Sequence, residues 1–167
     1  MAGEKMKPGA AENKTYYTYE TSYGAITIAS SGSAIVALVF RESDVSGGKN
    51  EASSLTDLAV KQLEEYFAGK RRRFDLPVNP SGTRFQEAVW KELLAIPYGE
   101  TRSYKQIAQK IGKPKACRAV GMANNRNPIS IIIPCHRVIG SNGALVGYGG
   151  GLEMKQKLLD LEMREAL

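Results

Sequence analysis

Ser130-Ile131-Ile132-Ile133-Pro134-Cys135-His136-Arg137-Val138-Ile139-Gly140, running on through a loop to Gly147-Tyr148-Gly149-Gly150-Gly151, is the stretch around which the chain is organised. Three consecutive β-branched residues, Ile131 to Ile133, read as a short buried strand. Pro134 has no N–H to give a ladder, so the strand stops there. Directly beyond it stand a thiol, an imidazole and a guanidinium. That set at a strand end suits a reactive site better than a core. The glycines that follow allow close approach of backbone to a ligand.

A thiolate is a strong nucleophile and a neutral thiol a weak one, so Cys135 needs a base or a positive charge nearby. His136 is the chain's single histidine and must supply any imidazole chemistry. Adjacent side chains of a strand point to opposite faces, so contact between the two requires a tight turn or a bridging water. Cys117 is the second of two cysteines; it is far from Cys135 in sequence and forms no C-x-x-C motif. Two cysteines and one histidine fall short of the usual four zinc ligands. No metal and no cofactor are expected.

The surrounding chain has 167 residues and a net charge of +6, which favours a polyanionic partner, nucleic acid first. No apolar run is long enough to cross a membrane, and the opening residues lack the apolar core of a signal peptide. A cytoplasmic protein is expected.

Residues 1–14 read as a loose tail. Tyr16–Glu20, Ala25–Ala29 and Ala34–Phe40 are strand candidates separated by Ser/Gly turns, which suggests an antiparallel meander. Leu55, Leu58, Ala59, Leu63, Tyr66 and Phe67 recur at helical spacing over Ser54–Ala68. Lys70-Arg71-Arg72-Arg73 is a basic run, either a solvated edge or a phosphate contact, and Phe74–Val78 reads as a short strand. Pro77, Pro80 and Gly82 mark a boundary, giving domains 1–80 and 81–167. Beyond it the pattern is helical. Phe85, Val89, Trp90, Leu93 and Leu94 share a face, with Trp90 in the core. Helices at Ser103–Ile111 and Lys115–Asn124 flank a Gly112-Lys113-Pro114 turn, the outline of a helix-turn-helix. Ala119, Val120 and Ala123 form the second helix's packing face, while Ala116, Ala119 and Gly121 let it approach a partner backbone. The last helix, Leu152–Glu165, has Leu152, Leu158 and Leu159 on its buried stripe. Lys155 and Glu162 fall on the same stripe. A charge there needs a partner, unless the helix frays and leaves Glu162 in water. As a partner, Glu162 would hold His136 in one tautomer, the role of a third group in a triad.

Ile133-Pro134-Cys135-His136-Arg137-Val138 resembles the O6-alkylguanine-DNA alkyltransferases, the methylated-DNA–protein-cysteine S-methyltransferases. The likeness extends through Val89-Trp90, Pro97-Tyr98-Gly99-Glu100-Thr101, Ser103-Tyr104, Arg118-Ala119-Val120-Gly121, Asn127-Pro128, Gly147-Tyr148 and Gly150-Gly151-Leu152. It implies a ribonuclease-H-like α/β N-terminal domain, an antiparallel sheet plus a helix, followed by a mostly α C-terminal domain with a winged-helix-like helix-turn-helix. It implies a monomer that binds double-stranded DNA through the minor groove and flips out O6-alkylguanine, chiefly O6-methylguanine, with O4-methylthymine as a second substrate. The alkyl group passes irreversibly to Cys135, once per molecule. The alternative is a non-enzymatic protein that binds the same lesions.

The resemblance also assigns residues. Arg118 is the finger that fills the gap left by the flipped base, with Lys115, Ala119 and Gly121 on the same DNA-binding helix. Tyr104 turns the lesion out and donates to the base. His136 takes the thiol proton through a water, Glu162 orients His136, and Asn127 braces the turn that holds Cys135. Tyr148, Gly149 and Lys155 stabilise the departing O6. Carbonyls near Cys135 and Val138 read the exocyclic amine. Gly149 stands where some members carry serine; Ser130 and Asn124 stand where some carry proline and an apolar pocket residue. Some members hold zinc in the N-terminal half, which a chain with histidine only at position 136 does not reproduce.

Overall fold

The computed structural model describes residues 13–45 and 47–166 and divides into two compact units, Met1–Pro80 and Ser81–Leu167. The tail expected over residues 1–14 lies almost wholly outside the described residues. No described helix is long and apolar enough to cross a membrane.

In the first unit, strands β1 (Thr15–Thr21), β2 (Gly24–Ser30) and β3 (Ile35–Val39) form the expected meander. A two-residue strand, β4 (Lys49–Asn50), adds in parallel beside β1, giving the order β3-β2-β1-β4. Helix α1 (Ser54–Phe67) begins at a capping box made by Ser53 and Thr56 and crosses β1 and β2. Ala59, Leu63 and Tyr66 from α1 and Ile26, Ile28, Ile35 and Leu38 from the sheet are fully buried. Leu58 is not part of this face; it is 41% exposed. The strand expected over Phe74–Val78 reduces to a single bridge between Ile35 and Val78. The prolines at 77 and 80 carry no N–H to extend that pairing.

The second unit is helical, with α2 (Arg84–Leu94), α3 (Tyr104–Lys110), α4 (Cys117–Asn125) and α5 (Leu152–Ala166). Trp90 is in the core, and its indole N–H donates to Ala123 O on α4 at 2.8 Å. Leu94, expected on the same face, is 48% exposed. Helix α4 starts two residues later than read, so Lys115 stands exposed in the turn before it, and Ala119 is exposed rather than packed. On α5 the buried stripe is Lys155, Leu158, Leu161 and Glu162, while Leu152 at its first position is half exposed. Two short strands, β5 (Arg102–Ser103) and β6 (Val138–Ile139), pair in parallel and tie the start of α3 to the end of the Cys135 segment.

Ile131–Ile133 is buried but is not a strand. It is a turn, and Ile131 takes φ +70°. That region disfavours a β-branched side chain, at a cost of roughly 1–3 kcal/mol. The surroundings over-determine it. Asn127 Nδ2 donates to Ile133 O at 2.8 Å and Asn127 Oδ1 accepts from Ile129 N at 3.0 Å. Backbone bonds from Ile132 N to Ser130 O and from Ile133 N to Ile129 O close the loop. Every one of these groups finds its partner locally, so no neighbouring strand is required.

Candidate active site

Cys135-His136-Arg137 form one turn of 3-10 helix, entered from Pro134 and left into β6. The alternation that would have set Cys135 and His136 on opposite faces of a strand therefore does not apply. Cys135 is 4% exposed. Its amide donates to Ile133 O at 2.8 Å, so the thiol hangs directly from the turn braced by Asn127.

His136 and Glu162 are fully buried and meet at 2.7 Å through Nε2 and Oε2. Glu162 also receives Arg137, with Nε on Oε1 at 2.8 Å and Nη2 on Oε2 at 2.9 Å. The amide of Gly99 donates to Oε1 at 3.3 Å. Gly99 has φ +81°, and a Cβ there would stand 2.8 Å from the Ala166 side chain, so this donor requires glycine. Burial pushes the Glu162 carboxyl up, but its hydrogen bonds and charge pairing with His136 and Arg137 outweigh that and hold it below the usual carboxylate range. Burial lowers His136 below its ordinary value, against the pull of Glu162. A neutral imidazole facing a carboxylate carries its proton on Nε2, which leaves Nδ1 as the basic nitrogen.

Arg137 was not given a role by sequence reasoning, although it sits in the decisive motif. Its third bond, Nη1 to Ile96 O at 2.7 Å, and the Tyr98 ring 5.7 Å from its guanidinium carbon, lock it into the cluster. A buried guanidinium beside a buried carboxylate is the signal that the isolated sequence does not show.

Lys155 is also fully buried. Its ammonium donates to Val146 O at 2.9 Å and Gly147 O at 3.4 Å, and lies 5.9 Å from the Tyr104 ring. Burial brings it down to about 8, with the Cys135 charge pulling the other way. Cys135 itself is pushed up to about 11 by burial, offset in part by a hydrogen bond from Asn127 and by the Lys155 charge. At neutral pH the resting group is a protonated, unreactive thiol. Tyr104 O–H donates to Val146 O at 2.9 Å. Val138 is buried, Tyr148 is half-buried with its hydroxyl enclosed, and Gly149 is exposed.

Tyr104, Arg118, Gly121, Val146 and Gly147 line a cleft of about 360 Å³. Arg118 is exposed on α4. Gly147 has φ +54°, and a Cβ there would stand 2.7 Å from Asn125 Oδ1, so the loop passes α4 as closely as glycine allows. The net positive charge resides in this half of the chain. Residues 81–167 hold 13 Lys/Arg and 7 Asp/Glu, whereas residues 1–80 hold 10 of each. Among the described residues no group of three or more His, Cys, Asp or Glu is placed to hold a metal ion.

Family models extend over nearly all of this architecture. Residues 84–164 match the DNA-binding domain of 6-O-methylguanine DNA methyltransferase, and residues 14–80 match its ribonuclease-like domain. A methylated-DNA–protein-cysteine methyltransferase of Methanosarcina barkeri is 66% identical over 104 residues, 62% of this chain and 66% of that protein. One from Mycobacterium tuberculosis is 48% identical over 154 residues, 90% of this chain and 93% of that protein. The solved structure of Mycobacterium tuberculosis OGT in complex with DNA superposes with a TM-score of 0.85 at 48% identity, covering 90% of this chain and 94% of that one. With a thiol, a carboxylate-held imidazole and a basic helical unit joined in one fold, and with both halves matched by the family's models, the chain belongs to the methylated-DNA–protein-cysteine methyltransferases.

Proposed function

We propose that this protein repairs duplex DNA carrying O6-alkylguanine by taking the alkyl group onto Cys135 in one irreversible step. The observation that carries the reading is the 2.7 Å contact between His136 Nε2 and Glu162 inside a buried cluster one residue from the thiol. It supports a neutral base whose basic nitrogen is Nδ1, on the ring edge away from the carboxylate.

Protein enters from the minor groove with α4. Arg118 occupies the position vacated by the flipped nucleotide, and Tyr104, at the cleft wall, turns the lesion out. A base paired poorly because of its alkyl group flips at lower cost, so recognition begins before chemistry. Cys135 Sγ then forms a bond to the alkyl carbon as the carbon–O6 bond breaks. The thiol proton leaves through a water to His136, and guanine departs taking a proton in place of the alkyl group. Lys155 offsets the charge developing on sulfur and O6. Asn127 keeps the turn that aims Sγ. The product is a thioether, which no group in the site can cleave, so each molecule acts once as a monomer. It works in the reducing interior of the cell, where free thiols persist.

The experiment is intact mass and peptide mapping after mixing the protein with duplex DNA carrying O6-methylguanine. One methyl group on the Cys135 peptide, saturating at one per protein, is expected; DNA binding with no gain of mass would make this a lesion-binding protein.

Arg118→Ala should slow repair of a paired lesion at least about tenfold while leaving reaction with free O6-methylguanine base nearly unchanged, because only the duplex substrate needs a flipped state held open. Equal losses on the two substrates would remove the finger role.

The rate of transfer should be bell-shaped in pH. Because burial lowers His136, the base form survives below pH 6.5, and the acid limb falls only under that value. Because burial also lowers Lys155, its positive charge disappears as pH rises through about 8, which sets the alkaline limb. A rate that kept climbing from pH 8 towards the thiol's value of about 11 would place the limiting ionisation on Cys135 instead.

A further inference from the structure

Lys70-Arg71-Arg72-Arg73 is a basic run that the chemistry at Cys135 does not use. Residues 1–80 are neutral in sum, yet their charge is segregated. Outside the run they hold 6 Lys/Arg against 10 Asp/Glu, so four of the unit's ten cations stand side by side on an otherwise acidic unit. A surface built only for solubility intersperses the two signs. The run is also held in place. Helix α1 ends in a Schellman motif, with Gly69 at φ +76°, Gly69 N on Tyr66 O at 3.0 Å and Lys70 N on Glu65 O at 2.8 Å. Arg71 turns back to the helix end, where Nε donates to Glu65 Oε1 at 2.8 Å, and its Nη1 donates to Arg73 O at 3.0 Å. Gln62 clamps the far side, accepting from Asp75 N at 2.9 Å and donating to Asp75 O at 3.4 Å. The Phe74 ring packs 5.4 Å from that of Tyr66. Arg71 thus serves the helix terminus and its dipole, while Lys70, Arg72 and Arg73 are exposed. The two carboxylates in the last turn of α1 are engaged, Glu65 by Arg71 and Glu64 by the amide and hydroxyl of Ser22.

We propose that Lys70, Arg72 and Arg73 form a docking surface for the phosphate backbone of duplex DNA, carried by the first unit and additional to helix α4. The proposal rests on the duplex-DNA part of the reading above. The four residues span at most about 10 Å, and a duplex presents about one charge per 1.7 Å of its axis. So dense a backbone pairs at least two of the three cations. The only aromatic side chain of the run and its flank, Phe74, is packed on Tyr66 and does not stack on a base. The contact is therefore sequence-independent, and it strengthens binding to undamaged and lesion-bearing duplex alike. A segment already pinned at Lys70, Arg71 and Asp75 loses little conformational freedom when it binds.

The test titrates the full chain with a labelled, undamaged duplex at several salt concentrations. Lys70→Ala/Arg73→Ala should bind at least about tenfold more weakly than the wild type at low salt, and the slope of log association constant against log salt should shrink by roughly 1.8, the release of two counterions. Arg41→Ala/Lys49→Ala removes the same charge from exposed positions of the same unit and should change affinity less than about twofold. Lys70→Arg/Arg73→Lys keeps the charge and should keep wild-type binding. Repair gives a second readout. Lys70→Ala/Arg73→Ala should raise the concentration of O6-methylguanine duplex needed for half-maximal rate, with the maximal rate and the reaction with free O6-methylguanine base unchanged. Wild-type affinity and slope in Lys70→Ala/Arg73→Ala would overturn the proposal and return the run to a solvated edge or an acidic protein partner. Equal losses in the two alanine pairs would also overturn it, leaving only an effect of net charge. Failure of the wild type to take up a methyl group would instead overturn the alkyl-transfer reading, with the affinity comparison still standing.

Discussion

Cys135→Ser should bind DNA as the wild type does and gain no methyl group from O6-methylguanine, a loss of at least about 10⁴-fold in transfer rate. The change replaces one atom in a site that is 4% exposed, so the turn, its Asn127 brace and the His136–Glu162 pair should all survive. The hydroxyl is a far weaker nucleophile than the thiol, and its proton is far harder to remove. Burial lowers His136 below its ordinary value, so it is a weaker base, and the more tightly held proton of an alcohol is the harder one for it to accept. On the proposed reading DNA binding draws on α4 and the charge surplus of residues 81–167, neither of which the substitution touches. Mass spectrometry and a titration of labelled duplex therefore have to give opposite answers. Loss of both would mean that the sulfur holds the fold together, and transfer by the serine protein would move the acceptor elsewhere.

That separation also marks what the sequence makes legible. The meander of β1 to β3 was readable to within a residue or two because apolar alternation and Ser/Gly turns act locally. Helix α1 was readable for the same kind of reason, through its 3.6-residue period. Ile131–Ile133 was misread because three buried β-branched residues look alike in a strand and in an enclosed turn. What distinguishes the turn is Asn127, which bonds forward to Ile129 and Ile133. The short ladders of Lys49–Asn50 on β1 and of Arg102–Ser103 on Val138–Ile139 depend on partners more than thirty residues away, and two residues carry no period. In the site, the motif pointed to Cys135 and His136, and helical spacing put Lys155 and Glu162 on a buried stripe. Spacing left open whether Glu162 was paired or frayed; the geometry places it among four donors. The roles of Arg137, Ile96 and Gly99 in that cluster arise only when three distant segments converge.

Glu162→Ala should be the most damaging single substitution for stability. It removes the acceptor for His136 Nε2, for two nitrogens of Arg137 and for the Gly99 amide at once. Removing one partner of a buried ion pair costs about 3–5 kcal/mol, because the remaining charge stays buried without compensation. For a chain of this size that corresponds to a fall in Tm of roughly 6–20 °C. The pH dependence should identify the carboxylate as the cause. Glu162 is held below its ordinary 4.5 in the folded protein, so its contribution is fully present above the unfolded value and fades as pH falls through the folded one. The stability gap between wild type and variant should therefore be widest near neutrality and narrow in acid, as followed by urea unfolding at several pH values. Glu162→Gln separates the structural role from the chemical one. It preserves size and one acceptor oxygen, so its stability loss should be smaller than that of the alanine variant. Its transfer rate should still fall sharply, since an amide neither stabilises an imidazolium nor fixes the Nε2–H tautomer as a carboxylate does. A glutamine variant with wild-type transfer would reduce Glu162 to a counter-ion for Arg137, and His136 would then owe its base form to burial alone.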